Sequence, residues 1–265
     1  MIPRLPTIHM FWMGERLSTL ERLSMRSIRA HGHHVRLWSY TPFSDLPAGV
    51  EASDAGGILP RTFADPWICS GVPAAYLSEA FRHAVLAREG GIWSDADVVC
   101  LKPFVFDAPI LVGREDDRLL GSCVLGFPAG HEAVCALAAA AARPWAHAPW
   151  DDTRTALLKR MGRVRYVGRP LAALRALRWG AVGHRTVTPA FAHYGLMGYA
   201  LPPSAFCPIP YTRMVTILDG EAKFAALTDS YAVHLWSALW GIHGVGRDET
   251  RASGCLLEQL KEVYL

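Results

Sequence analysis

The chain has 265 residues, of which 51% are hydrophobic and 19% are charged. This balance supports a substantial core and excludes a mainly disordered chain, and the length fits one large domain. The formal net charge of +3 is too small to indicate a nucleic-acid partner, and we expect none.

The first hundred residues alternate between strand and helix patterns. Ser18 is a suitable N-cap for the first helix, and Gly90 is a suitable stop for the second. This order predicts an α/β fold whose central, mostly parallel sheet is flanked by helices. The predicted elements are, in chain order, a strand over 7–13, a helix over 18–30, a strand over 34–40, a connection rich in proline and glycine over 42–73, a helix over 74–91, and a strand with a polar break over 92–104.

The second half of the chain has a less regular pattern. Short strands are predicted in "PILVGRE" and "SCVLGFP", and five prolines between 186 and 212 indicate loops and short strands there. Helices are predicted over 131–142, 151–161, 170–178 and 252–263, with loops or short strands over 186–220.

Cysteine spacing and apolar runs bear on the compartment. The six cysteines include no pair with CxxC spacing, so neither a zinc cluster nor a redox motif is indicated, and we expect free thiols in a reducing compartment. The first residues, "MIPRLPTIHMFWMGER", lack the long apolar region of a secretory signal, and no apolar run is long enough to cross a bilayer. We therefore expect a cytoplasmic protein.

Two aspartates interrupt the apolar run "GGIWSDADVV", residues 90–99. In an extended strand residues i and i+2 share a face, so Asp95 and Asp97 are expected to project together. Such carboxylates repel each other unless a cation joins them, and Mn²⁺ or Mg²⁺ prefers oxygen ligands and is often shared with substrate phosphates. The alternative is a charged turn or an exposed acidic pair.

The segment "SEAFRHAVLAREGGIWSDADVVCLKPF", residues 78–104, resembles the signature of glycosyltransferases whose sugar-binding region contains a DXD motif. This is the family 32 type, which includes α-1,4-galactosyltransferases and initiating mannosyltransferases, and the large glucosylating bacterial toxins share a related core. Glu79 stands where the family usually has Asp. "PTIHMFWMG" (6–14) and "YAVHLWSALW" (231–240) resemble the family's first strand and its closing His/Trp segment. The matching positions are Ser78, Arg82, Gly90, Gly91, Trp93, Asp95, Asp97, Lys102 and Pro103.

The resemblance implies a single GT-A (Rossmann-like) domain over 1–265, with a nucleotide-sugar half at 1–104 and an acceptor-side half at 105–265. It implies a metal-dependent, retaining hexosyltransferase of polysaccharide biosynthesis that uses Mn²⁺ or Mg²⁺. The expected donor is a nucleotide sugar, a UDP-sugar in the first instance. The expected acceptor is a glycan, a lipid-linked molecule or a small molecule.

The resemblance also implies roles for individual residues. The expected metal ligands are Asp97, Asp95 and His234, and the expected catalytic residues are Asp95, Asp97 and Arg82. The expected donor contacts are His9, Trp12, Gly14, Ser78, Glu79, Arg82, Trp93, Asp95, Trp236 and Trp240.

Several of these residues have structural alternatives. His9, His234, Trp236 and Trp240 also suit a core, and Arg82 also suits a surface pair with Glu79. Asp151 and Asp152 are better explained as caps of a helix than as catalytic groups. At the level of the whole chain, the alternatives are a non-catalytic nucleotide-sugar or carbohydrate-binding module on the same fold and a metal-dependent phosphohydrolase.

Positive charge is concentrated in residues 143–185. This segment has a formal charge of +8, against −5 for the rest of the chain, and it includes Trp145, Trp150, Tyr166 and Trp179. Basic residues favour an anionic lipid leaflet and aromatic rings favour the headgroup level, so the segment predicts weak peripheral contact with the inner membrane. The alternative is a solvated basic helix face whose arginines pair with scattered acids.

Overall fold

The computed structural model describes residues 5–43, 45–177 and 180–265. Its strands are β1 (Ile8–Phe11), β2 (Val35–Ser39), β3 (Val50–Asp54), β4 (Gly91–Ser94), β5 (Val98–Cys100), β6 (Leu111–Arg114), β7 (Leu120–Phe127), β8 (Ala200–Leu201) and β9 (Ala232–His234). Its α-helices are α1 (Thr19–Ala30), α2 (Arg61–Ser70), α3 (Ala74–Glu89), α4 (Glu132–Ala142), α5 (Thr153–Arg165), α6 (Pro170–Arg175), α7 (His184–His193), α8 (Thr216–Asp219) and α9 (Leu256–Tyr264).

A seven-stranded sheet in the order β3-β2-β1-β4-β7-β6-β8 forms the centre of the fold. Only β7 runs against its neighbours, since it pairs antiparallel with both β4 and β6, and the other pairings are parallel. The predicted α/β fold with a mostly parallel sheet is therefore confirmed. Strands β6, β7 and β8 come from beyond residue 104, so both predicted halves contribute to one sheet.

Helices cover both faces of this sheet, and the strand pattern shows why. Every residue of β1 is buried, as expected when neither face meets water. On one face Ile8 and Met10 join a core with Leu20 of α1. On the other face Phe11 stacks on Phe81 of α3, with ring centroids 4.5 Å apart.

The link from α3 to β4 depends on two glycines with left-handed backbone. Gly90 has φ 67° and Gly91 has φ 84°. A Cβ on Gly90 would lie 2.6 Å from the Ala129 nitrogen, and one on Gly91 would lie 2.8 Å from the Thr7 carbonyl oxygen. Both positions therefore require glycine, and the turn aligns the residues after β4 with the end of α3.

The prediction for residues 42–73 is wrong, because this stretch contains β3 and α2. β3 extends the sheet beside β2, but its sequence, "VEASD", has only a weak apolar alternation. α2 contains Pro66, and Pro60 at its N-cap position provides no side-chain cap, so local signals oppose the helix. Its buried Ala64 and Trp67 supply the packing that outweighs them.

The predictions for 170–178 and 186–220 need similar corrections. α7 runs through Pro189 because Val187, Ala190 and Phe191 are buried in the core. α6 ends at Arg175, and the predicted end of that helix at 178 lies outside the described residues. Among the residues described, no helix is long and apolar enough to span a membrane.

The two aspartates project together as expected, but the extended strand that was expected to align them is wrong. Asp95 to Asp97 form a turn between β4 and β5, in which the Val98 amide donates to the Asp95 carbonyl oxygen at 3.2 Å. β5 then leaves the main sheet and pairs with β9. The carboxylates are therefore brought together by a turn and not by strand alternation.

Candidate functional site: an acidic cleft at the sheet edge

A cleft of about 620 Å³ opens where β1 and β4 end. Parallel strands of an α/β sheet commonly present ligand-binding residues at this edge. Trp12 follows β1 and Asp95 follows β4, and both line the cleft. Ser122, near the start of the antiparallel β7, lines the same edge.

The β5–β9 pair brings Asp97 to His234. Val98 pairs with His234 across the ribbon, and the Leu235 amide donates to the Asp97 carbonyl oxygen at 2.9 Å. His234 Nε2 lies 3.3 Å from Asp97 Oδ1, while Asp97 Oδ2 accepts from the Ser237 amide and hydroxyl, both at 2.8 Å. The carboxylate is thus held rigidly, with Oδ1 directed toward His234.

Backbone strain accompanies this arrangement. Among the described residues Trp236 is the only non-glycine with positive φ, at 57°. A bulky side chain is disfavoured in this conformation, and such strain tends to occur at functional sites. Here the turn at Trp236 directs Ser237 to Asp97, and the indole Nε1 donates to the Ile209 carbonyl oxygen at 2.8 Å.

Asp95 is held by two donors, one from α3 and one from β4. Its Oδ1 accepts from Arg82 Nη2 at 2.6 Å and from Trp93 Nε1 at 2.7 Å. Arg82 is buried and also donates to the Ser122 hydroxyl at 2.5 Å. The alternative of a surface pair between Arg82 and Glu79 is therefore wrong, and no described donor hydrogen-bonds to Asp95 Oδ2.

The surroundings of the two carboxyl groups shift their pKa values in opposite directions. Burial raises the pKa of Asp95, and the Arg82 charge offsets this only in part. Burial also favours a higher pKa for Asp97, but the His234 charge and the Ser237 hydrogen bonds outweigh it and hold the pKa well below its ordinary value. Burial alone would lower the pKa of His234, yet the adjacent Asp97 charge raises it to about 10. A protonated imidazole thus balances the acidic pair.

Two sets of metal-ligand atoms share His234. In one, oxygens of Asp95 and Asp97 and a His234 nitrogen all lie within 4.8 Å of one another. In the other, Cys123 and Cys207 take the place of the carboxylates, with their sulfurs 3.8 Å apart. The Cys207 contact and burial raise the pKa of Cys123 well above its ordinary value, so Cys123 stays a thiol. The carboxylate set is the better cation site, and it lies on the cleft.

Most of the predicted site residues meet at the cleft. Arg82, His234 and both aspartates line it, as do Trp12, Ser78, Glu79, Trp93 and Trp236. Three others lie elsewhere. His9 is buried and accepts from Trp38 Nε1 at 3.1 Å, Trp240 is buried and donates to the Leu235 carbonyl oxygen, and Gly14 packs against Trp12.

Glu79 projects from α3 toward the loop before α7. Its Oε1 lies 3.8 Å from His184 Nδ1, while Oε2 is buried without a hydrogen-bond partner among the described residues. A Cβ on Gly183 would lie 2.0 Å from the Glu79 carboxyl carbon. Glycine at 183 therefore leaves the space that the long Glu79 side chain occupies.

Sequence patterns did not point to several residues of the cleft wall. Ser237 directly follows the "HLW" motif, so its position in the sequence could have identified it as a candidate site residue. Ser122 and Arg247 lie far from any motif, and only folding brings them to the cleft. The other unpredicted lining residues with polar side chains are Glu115, Asp116, His184, Arg185 and Tyr211.

Asp151 and Asp152 lie away from the cleft, and both have structural partners. Asp152 caps α5 by accepting from the Thr155 amide at 2.7 Å, as predicted. Asp151 pairs with Lys159 at 2.8 Å instead.

Comparison with known proteins adds little to this geometry. No protein-family model matches the chain. One solved structure, PaToxG glycosyltransferase, is similar at a TM-score of 0.42 with 16% identity, over 74% of this chain and 79% of that one. Similarity at this level carries no functional conclusion, so function has to be inferred from the cleft.

Proposed function

We propose that the protein is a metal-dependent glycosyltransferase. It transfers a hexose from a nucleotide sugar, with a UDP-sugar as the expected donor, to a glycan, lipid-linked or small-molecule acceptor. The observation that carries the proposal is the convergence of Asp95, Asp97 and His234 in the cleft.

These residues fit a hard divalent cation such as Mn²⁺ or Mg²⁺. Asp95 Oδ2 and Asp97 Oδ1 are the oxygens that the Arg82, Trp93 and Ser237 hydrogen bonds leave available, and carboxylate oxygens are the ligands these ions prefer. His234 adds a nitrogen that Mn²⁺ accepts. Since the Asp97 charge raises the pKa of His234 to about 10, this nitrogen would bind a metal ion only after losing its proton, and cation binding would release that proton.

A bound cation would supply charge stabilisation for a leaving nucleoside diphosphate. The chain's own residues set up that chemistry. Arg82 and Ser237 fix the two aspartates from opposite walls, so the ligand oxygens need little reorganisation. In this proposal Arg82 is a positioning residue that acts through Asp95, and its contact with the donor stays a prediction.

Trp12 and Arg247 form a wall suited to a nucleoside. The Arg247 guanidinium lies 5.3 Å from the Trp12 ring centre, and the Trp12 Nε1 donates to the Arg16 carbonyl oxygen at 3.1 Å. This fixes the indole plane at the cleft, where its face or edge is available to a base. Arg247 is held at the same time by buried Glu21.

The donor sugar is assigned to the side of α3. The Ser78 hydroxyl lines the cleft and makes no hydrogen bond to another described residue, and Glu79 Oε2 lacks a partner. A sugar hydroxyl would satisfy both groups, and buried polar atoms rarely remain unpaired. The longer Glu79, in place of the family's Asp, still reaches the cleft because Gly183 makes room for it.

The decisive experiment incubates the protein with Mn²⁺ and a panel of nucleotide sugars, and measures the released nucleoside diphosphate. Release from one donor, increased by an acceptor, supports the proposal. The anomeric configuration of the product by NMR then tests the retention of configuration that the family resemblance implies. Donor binding without release indicates a non-catalytic binding module instead, and release of inorganic phosphate from an aryl phosphate indicates a phosphohydrolase.

A further inference from the structure

Exposed apolar side chains are concentrated on one surface. Of the fourteen large apolar side chains that are exposed among the described residues, six lie between 157 and 171. Their exposure ranges from 37% at Leu171 to 75% at Val167. We call them the 157–171 stripe: Leu157, Leu158, Met161, Val164, Val167 and Leu171.

Four of the six stripe residues belong to α5, while Val167 lies in the turn after it and Leu171 in α6. Leu157, Met161 and Val164 recur at i, i+4 and i+7, so they share one helix face. Gly162 lies outside this face, next to Leu158 around the helix, and a Cβ there would approach the Trp145 ring to 2.2 Å. α5 therefore packs through the Gly162 face, and this orientation leaves the stripe in solvent.

The aromatic residues of the basic segment have a different role from the one predicted. Trp145 Nε1 donates to the Ala173 carbonyl oxygen at 3.0 Å, and its ring lies 5.5 Å from that of Tyr166. These rings connect α5 to α6 and do not form the exposed surface. Trp179 lies outside the described residues.

Exposed arginines surround the stripe, and one of them, Arg165, lies over the Tyr166 ring at 5.8 Å from its centre. Arg154, Arg160, Arg163, Arg165 and Arg169 are all exposed, and none takes part in the salt bridges of the described chain. At 3.6 residues per turn, Arg160 and Arg163 lie on one flank of the face formed by Leu157, Met161 and Val164, and Arg154 and Arg165 lie on the other, between Met161 and Leu158. The nearby acids are engaged elsewhere, since Asp151 pairs with Lys159 and Asp152 caps the helix.

We propose that this surface docks onto an anionic lipid bilayer. An apolar face with arginines on both flanks is the arrangement of helices that lie in the membrane interface, with aliphatic side chains inserted and long cationic side chains reaching the headgroups. Charge favours a bilayer over a second copy of the chain, because a symmetric contact would place the same arginines against one another. The inference is independent of the proposed glycosyl transfer.

Vesicle co-sedimentation of the full chain tests the proposal. We expect binding to vesicles of phosphatidylcholine with phosphatidylglycerol, no binding to phosphatidylcholine alone, and release at high salt. Arg163→Ser/Arg165→Ser/Arg169→Ser should weaken binding about 100-fold, because each arginine contributes about 1 kcal/mol near an anionic leaflet. Leu157→Ser/Met161→Ser/Val164→Ser should also lose binding.

A matched control removes exposed apolar side chains elsewhere, as Val105→Ser/Ile242→Ser/Val263→Ser, and should bind as the wild type does. Thermal melts establish that each variant is folded. Equal recovery of the wild type in the supernatant with both vesicle types overturns the proposal, as does an equal loss of binding in the control. A dimer that the Leu157/Met161/Val164 variant abolishes, with no vesicle binding by the wild type, assigns the stripe to self-association instead.

Discussion

The ion pair between Arg82 and Asp95 can be tested without knowing the substrate. Its partners lie 2.6 Å apart, and their side chains are 4% and 23% exposed. Arg82→Met removes the charge and keeps an unbranched side chain, while Asp95→Asn removes the opposite charge with almost no change of shape. Each single variant leaves the other charge largely buried and without its partner.

The expected magnitude follows from burial and separation. Two unit charges about 4 Å apart near a protein surface attract each other by about 4 kcal/mol, and removal of one member of a buried pair costs about 3–5 kcal/mol. Asp95 is partly exposed and keeps its Trp93 hydrogen bond. We therefore expect the free energy of unfolding to fall by about 3 kcal/mol in Arg82→Met and by about 2 kcal/mol in Asp95→Asn. The double variant should lose about as much unfolding free energy as Arg82→Met alone. The two single losses together exceed that of the double variant by about 2 kcal/mol, which is the coupling energy of the pair.

Urea unfolding of the four proteins at neutral pH measures this cycle. The exposed pair Arg213–Glu221 is the control, with both side chains about 60% exposed, and its coupling should stay below about 1 kcal/mol. Additivity within about 0.5 kcal/mol at Arg82 and Asp95 would refute the assignment of Arg82 as the group that holds Asp95.

Four further results are expected. Asp97→Asn should abolish transfer and weaken metal-dependent nucleotide binding in calorimetry, because an amide lacks the charge that holds the cation. EDTA should eliminate nucleoside diphosphate release, and Mn²⁺ should restore it better than Ca²⁺, which prefers more ligands and longer bonds. Gly183→Ala should displace the Glu79 carboxyl group and raise KM for the donor. It should also lower the free energy of unfolding in urea melts by about 1–3 kcal/mol. Burial lowers the pKa of His83 to about 3, so the folded state is favoured by the neutral imidazole above about pH 6.5 and loses stability as the pH falls. His83→Leu should therefore reduce the decrease in unfolding free energy between pH 6.5 and pH 5, measured by urea melts, by up to about 1.4 kcal/mol per pH unit.

Each of these predictions has a control or a contrary outcome. Asp117→Asn removes an exposed carboxylate outside the cleft and should retain full activity, so equal effects at 97 and 117 would exclude the metal role. Turnover in a metal-free preparation would exclude cation dependence. Gly198→Ala meets no atom within 4 Å and should be silent, and equal effects at 183 and 198 would exclude the Glu79 explanation. An unchanged pH gradient in His83→Leu would assign the acid sensitivity to other groups, such as His9.

The sequence alone was sufficient for the elements with strong local signals. α1 begins where Ser18 and Glu21 form a capping box, and α3 ends at Gly90, as their residue patterns predicted. The order of these elements was enough to predict the mostly parallel sheet. Local signals failed at α2 and α7, because each contains a proline whose cost is offset by burial of distant side chains.

The site shows the same division. The aspartate pair and the "HLW" motif identified Asp95, Asp97 and His234 as candidates, but their arrangement depends on contacts between residues far apart in the chain. Asp97 and Ser237 are 140 residues apart, and Arg82 and Ser122 are 40 apart. Only the pairing of β5 with β9 and the placement of β7 beside β4 bring these groups within hydrogen-bond distance. The exposed stripe likewise depends on which face of α5 packs against Trp145. Tertiary contacts decide this, because a helix with an apolar face normally buries that face, whereas α5 packs through Gly162.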